Sequence, residues 1–147
     1  MEEKTMETKE KEIIKRDVEQ NILYDGGIQY LKDTGGRIAC MVGERLEEGH
    51  GFVLDHGSFR LLFSSHVERC ESYMFIVNKD LKTLVTISVL AGNAFADVGT
   101  SDGNNIQDGR KSALARHAVT DAVQLLAGHS GEIVEAFLEN HQTGGEK

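Results

Sequence analysis

The stretch "YMFIVNKDLKTLVTISVL", residues 73–90, decides the fold class. Two apolar runs of strand length flank "NKD" at 78–80, and Asn and Asp are turn formers because their side chains bond nearby backbone. After the turn, Leu84, Thr86 and Ser88 alternate with Val85, Ile87 and Val89. That period of two belongs to a strand with one buried face. The stretch is therefore a β-hairpin, and Val77, Val85, Ile87 and Val89 are expected to face the core with Leu125 or Leu126. Working outward, "GFVLDHGSFRLLFSS" (51–65) holds two short strands around an Asp-His-Gly turn, and "NAFADVGT" (93–100) is a further strand after a turn at Ala91-Gly92. "RIACMV" (37–42) is a short apolar run of strand character. Sequential strands joined by short links pair antiparallel.

Helical periodicity flanks this region. Over residues 7–24, Ile14, Val18 and Ile22 recur every fourth position with Ile13 alongside, opposite a face of mixed charge. "DGG" at 25–27 is expected to break that helix, and Gly35-Gly36 to end a short turn over Ile28 to Lys32. Later, Asp108 is placed to cap a helix that begins Gly109-Arg110-Lys111. Its apolar stripe runs through Leu114, Ala115, Ala118, Val119, Ala122, Val123, Leu125 and Leu126, and Gly128 closes it. A last helix, 130–140, carries Ile133, Val134, Phe137 and Leu138. The predicted fold is α+β: an antiparallel sheet of four to five strands with an N-terminal helix and two C-terminal helices. One domain spans 1–147, with 1–6 and 142–147 expected to be flexible.

With 147 residues, 39% apolar and 27% charged, the chain can bury a sizeable core. No apolar run approaches the roughly 18 residues of a spanning helix. The charged start "MEEKTMETKEKE" has no apolar core of a secretory signal. The two cysteines, Cys40 and Cys70, have no metal-type spacing and read as reduced thiols of a cytoplasmic protein. A net charge of −8 opposes nucleic-acid binding, since phosphate recognition needs a basic patch. The double-stranded RNA-binding module, which also ends in a basic helix start, is set aside for this reason and because "ERLEEGHGFVLDHGSF" is acidic and strand-like.

"SDGNNIQDGRKSALARH", 101–117, raises a different question, because it puts Arg110 and Lys111 where a helix dipole disfavours cations. One answer is pairing with Asp97, Asp102 or Asp108. The other is an anion bound at the helix start, held by backbone N–H groups and an arginine fork. The loop Gly103-Asn104-Asn105 offers little bulk and many amide donors for such a ligand.

The pattern of Asp102, then Gly109-Arg110-Lys111, then Ala113-Leu114 and Arg116 resembles a strand–loop–helix signature of small phage proteins, and is similar to the type 1 Thoeris anti-defence family over residues 84–120. The resemblance implies an oligomeric sponge that binds a cyclic ADP-ribose-type signal made by a bacterial TIR-domain enzyme and holds it uncut. It places Asn93 and Arg110 in the pocket. The expected ligand-binding set is Asn93, Asp102, Asn104, Arg110, Lys111 and Arg116, with no cofactor and no metal.

Other constellations are weaker. His50 and His56 would share a strand face, with His66 near, but only Asp55 could complete a metal set. His117 and Asp121, four apart on a helix, read as a surface pair. Ser64, Ser65 and Cys70 have no identifiable base. Tyr73, Phe75, Phe59, Phe63 and Phe52 read as core. Three functions follow: non-enzymatic sequestration of a phosphate-bearing nucleotide signal in phage counter-defence, an acidic protein-binding inhibitor, or a small hydrolase. The first requires a closed pocket near Arg110, the second an exposed apolar or acidic patch. The amphipathic N-terminal stripe further predicts a homo-oligomer.

Overall fold

The 73–90 hairpin forms as expected, and its neighbours extend it into a five-stranded antiparallel meander, β1 Phe52–His56, β2 Phe59–His66, β3 Glu71–Asn78, β4 Thr83–Leu90 and β5 Asn93–Thr100, in the order β1-β2-β3-β4-β5. The computed structural model describes residues 11, 19–47 and 49–145. Helix α1 covers residues 19–43, and α2 is Ala113–Gly145. A mixed α+β architecture with an antiparallel sheet results, with two helices among the described residues and not three. No helix of the described residues is long and apolar enough to cross a membrane.

The turns have local causes. Asn78 Oδ1 accepts from the backbone N–H groups of Asp80 and Leu81, both at 3.1 Å, which closes the β3–β4 turn. Ala91 (φ 50°) and Gly92 (φ 85°) are both left-handed, as a two-residue hairpin between twisted strands requires. Register then fixes the faces. Ile76 opposes Val85 and Met74 opposes Ile87, so these side chains point to the helices. Val77 opposes Leu84 on the other face; the expectation that it turns inward was wrong by one residue.

Both helices cover one face of the sheet and close a core around Leu31, Ile38, Val42, Leu61, Phe63, Met74, Ile76, Ile87, Val119, Leu126, Ile133 and Phe137. Three sequence expectations about the helices are corrected. First, neither "DGG" nor Gly35-Gly36 breaks α1, and residues 37–42 are helical, not a strand. The six-residue apolar run was ambiguous by itself. With Leu31 added, Ile38, Ala39 and Val42 form a helical stripe, and all four are buried. The glycines remain helical because they make room. A Cβ on Gly27 would lie 2.5 Å from Val119 Cγ1, and one on Gly35 would overlap Ile87 Cδ1. A π-helical segment, Leu31–Gly35, turns less per residue and brings Gly35 round to the packed side.

Second, Asp108 does not cap α2. It is left-handed (φ 51°) with no capping bond, and Gly109–Lys111 is a 3-10 turn. The cap is Ser112, whose Oγ accepts from the N–H of Ala115 at 3.2 Å. Third, Gly128 does not close the helix. Glycine within a helix costs only about 1 kcal/mol relative to alanine, and the stripe continues past it, with Ile133 and Phe137 fully buried. Phe137 meets Phe52 edge-on at 5.1 Å between centroids. Residues 142–145 continue α2, and 1–6 and 146–147 lie outside the described residues. Of the N-terminal stripe, Ile13, Ile14 and Val18 lie outside the described residues, and Ile22 is exposed.

Candidate functional site

The expected ligand set is spread along the sheet. Asn93 begins β5 opposite Leu90, whereas Asp102 and Asn104 follow its other end, about seven residues of strand, or roughly 23 Å, away. Asp102 accepts from the Thr100 hydroxyl and from Asn104 Nδ2, and Asn104 O accepts from the Thr100 N–H at 2.8 Å, so both residues serve their own loop. The Thr100 bond holds the Asp102 carboxyl below the ordinary range.

Arg110, Lys111 and Arg116 do come together. The Arg110 guanidinium is bidentate on Asp25, with Nε to Oδ1 at 2.8 Å and Nη2 to Oδ2 at 2.7 Å. Arg116 Nη1 donates to the Arg110 carbonyl at 2.6 Å, and Lys111 Nζ lies 3.5 Å from Asp108. Arg110 and Lys111 precede the Ser112 cap, and each is offset by an acid, Asp25 and Asp108, which outweighs the weak dipole term at an exposed helix end. That removes the electrostatic puzzle. Arg110 pairs with an acid, as one reading expected, but the acid comes from α1 and not from Asp97, Asp102 or Asp108. The pair ties the 101–112 loop to α1, where Tyr24 fills the space beside Gly109. Burial, then Asp25, push the Tyr24 hydroxyl above its ordinary value. The adjoining hollow, lined by Tyr24, Arg116, His117 and Thr120, measures about 210 Å³.

Two other places have more to offer. The first is the sheet face away from the helices. Register lays out rows across it: Val53–Leu62–Phe75–Thr86–Asp97 and Ser64–Tyr73–Ser88–Phe95. Tyr73 and Phe75, expected in the core, stack with centroids 6.2 Å apart on this outer face. No described helix packs on it. Val53 (56% exposed) and Phe95 (47% exposed) are open to solvent. Asp55 holds Arg60 in a bidentate pair, with Nε to Oδ1 at 2.7 Å. That bond lowers the Asp55 carboxyl and removes Asp55 from the expected metal set. Charges of both signs edge this face: Lys79 also reaches Asp55, Glu71 accepts from the Tyr73 hydroxyl at 2.8 Å, and Asp97 ends the first row.

The second place is a cleft of about 370 Å³ at the end of the sheet, between the β1–β2 turn, the β3–β4 turn and α2. Buried Asn78 spans it, its Nδ2 donating to Asp121 Oδ2 at 3.1 Å. Asp121 thus bonds Asn78 and was misread as the partner of His117. At the cleft mouth, His56 from β1 meets His129 and Glu132 from one turn of α2. Glu132 Oε2 lies 3.2 Å from His56 Nε2 and 3.3 Å from His129 Nδ1. The two imidazoles keep the Glu132 carboxyl below its ordinary value, His56 first. Imidazole and carboxylate are the donors that hold transition ions. Of the expected metal candidates only His56 takes part, as His50 pairs with Glu47. The missed signal was the His-x-x-Glu spacing at 129–132, which puts both side chains on one helix face.

No protein-family model, curated protein or solved structure matches the chain.

Proposed function

We propose that this chain acts by binding another protein through the outer face of its sheet, as a non-enzymatic, acidic inhibitor or adaptor. The observation that carries the reading is an apolar patch on that face, Val53, Leu62, Tyr73, Phe75 and Phe95, set among Ser64, Thr86 and Ser88 and uncovered by any described element. Aromatic side chains are the usual anchors of interfaces. The net charge of −8 favours a basic partner, whose approach it would steer. The pairing of Arg110 with Asp25 supports this reading over an anion pocket at that point. The test is direct binding of a captured partner, repurified, to wild type and to a Phe75→Glu/Phe95→Glu variant. The variant should bind at least about tenfold more weakly. Equal binding, or light scattering that gives a dimer for wild type and a monomer for the variant, refutes it.

A specific observation keeps a second reading, sequestration of a cyclic ADP-ribose-type signal in phage counter-defence. A groove of about 690 Å³ beside α1 has the volume for a nucleotide; Lys32 and Arg37 line it as phosphate contacts, and Asp33 and Glu44 beside them would face its sugar hydroxyls. Exposed Ile22 and Leu23 would serve the oligomer that this reading includes. Calorimetry with cyclic ADP-ribose should show binding lost in Arg37→Ala and kept in Arg110→Ala, and heating should release the ligand intact. No heat with wild type refutes it.

A further inference from the structure

We propose that His56, His129 and Glu132 form a binding site for a divalent transition ion of the zinc type, with a further coordination position open to the cleft. One ligand atom from each residue lies within 4.8 Å of the others. Two ligands about 2.0–2.1 Å from a tetrahedral ion stand roughly 3.3 Å apart. The two separations from Glu132 Oε2, 3.2 and 3.3 Å, match that edge.

The competing account is a hydrogen-bonded trio in which one carboxylate oxygen accepts from both rings. His56 does bond Glu132 in that way. His129 does not: its Nδ1 is buried and within ion-pair distance, yet makes no hydrogen bond with acceptable geometry. A buried imidazole nitrogen without a hydrogen bond, 3.3 Å from a carboxylate oxygen, is a position that a cation would satisfy. The rings of His56 and His129 lie 4.4 Å apart between centroids, so both imidazoles reach the same carboxylate oxygen from neighbouring directions.

The donor set selects the ion class. Two imidazoles and one carboxylate suit Zn2+, Co2+ or Fe2+. Mg2+ and Ca2+ require oxygen ligands, and Cu+ prefers thiolate. The site is anchored from two elements, since β1 supplies His56 and a single turn of α2 supplies the i, i+3 pair. Three protein ligands leave room for a water or a donor atom of a molecule seated against Asn78, Asp121 and Gln124.

The site is independent of the outer sheet face, so its test does not depend on the proposed partner. Full-length protein is titrated with Zn2+ by calorimetry and with Co2+ by visible absorption. One ion per chain is expected, with the strong visible bands of four- or five-coordinate Co2+. His129→Gln and Glu132→Gln should each weaken Zn2+ binding at least about 100-fold, more than loss of an outer-shell partner does. His117→Gln, on the same helix outside the cluster, should bind as wild type does. Circular dichroism checks folding, and the exposed Glu132→Gln keeps the test valid if His129→Gln unfolds. Weak six-coordinate Co2+ absorption, or undiminished Zn2+ affinity in Glu132→Gln, overturns the proposal.

Discussion

Replacing the adjacent glycines of α1 one at a time tests whether the helix runs through "DGG". Gly26 and Gly27 are both helical. Alanine at either should gain about 1 kcal/mol of helix propensity. The surroundings differ. A Cβ on Gly26 meets nothing within 4 Å, whereas one on Gly27 lies 2.5 Å from Val119 Cγ1 and 3.5 Å from Val123 Cγ2. Val119 is buried and β-branched, so in a helix it has one strongly preferred rotamer and cannot swing aside. Overpacking of that kind costs about 1–3 kcal/mol. Gly26→Ala should thus stabilise by about 1 kcal/mol, and Gly27→Ala should range from neutral to about 2 kcal/mol destabilising. At this chain length 1 kcal/mol is about 2–4 °C in Tm, so the melts should separate by roughly 2–12 °C. Urea titration gives the free energies, and Gly27→Ala in a Val119→Ala background should recover about 1 kcal/mol or more, since contacting sites couple. Equal effects at both positions would refute the packing argument. Destabilisation at both would mean a break with positive φ, where alanine is strained.

Ser112→Ala removes the cap of α2 and should cost about 1 kcal/mol in urea titration, while Asp108→Ala, at the residue the sequence favoured as cap, should cost less. Asp55, whose ordinary pKa is 3.8, is held lower by Arg60. Its contribution is present above the unfolded value and lost as pH falls through the folded one. Carboxyl NMR should show a titration midpoint below 3.8 that rises in Arg60→Met, and an unchanged midpoint refutes the pairing.

The strands were legible because their signals are local. Alternation at 84–89 and Asn78 at the turn act through neighbouring backbone, so β2 to β5 follow from the residues themselves. The glycines were not legible, because what a glycine does is decided by what packs on it. Gly27 and Gly35 read as breaks until Val119 and Ile87 are seen to need the space of their missing Cβ. Val77 shows the limit of alternation: a strand's period of two is readable, but its phase relative to the core is set by pairing with β4. The sites divide in the same way. Local charge drew notice to Arg110, but its partner, Asp25, lies 85 residues earlier. His129 and Glu132 were not read as a helical pair, because Gly128 was taken to end the helix before them, and only the folding of β1 against α2 adds His56. Sequence alone determined which segments could bury a face. Tertiary packing decided which cations are already neutralised and which donors converge, since a charge or a ligand atom acts through distance in space.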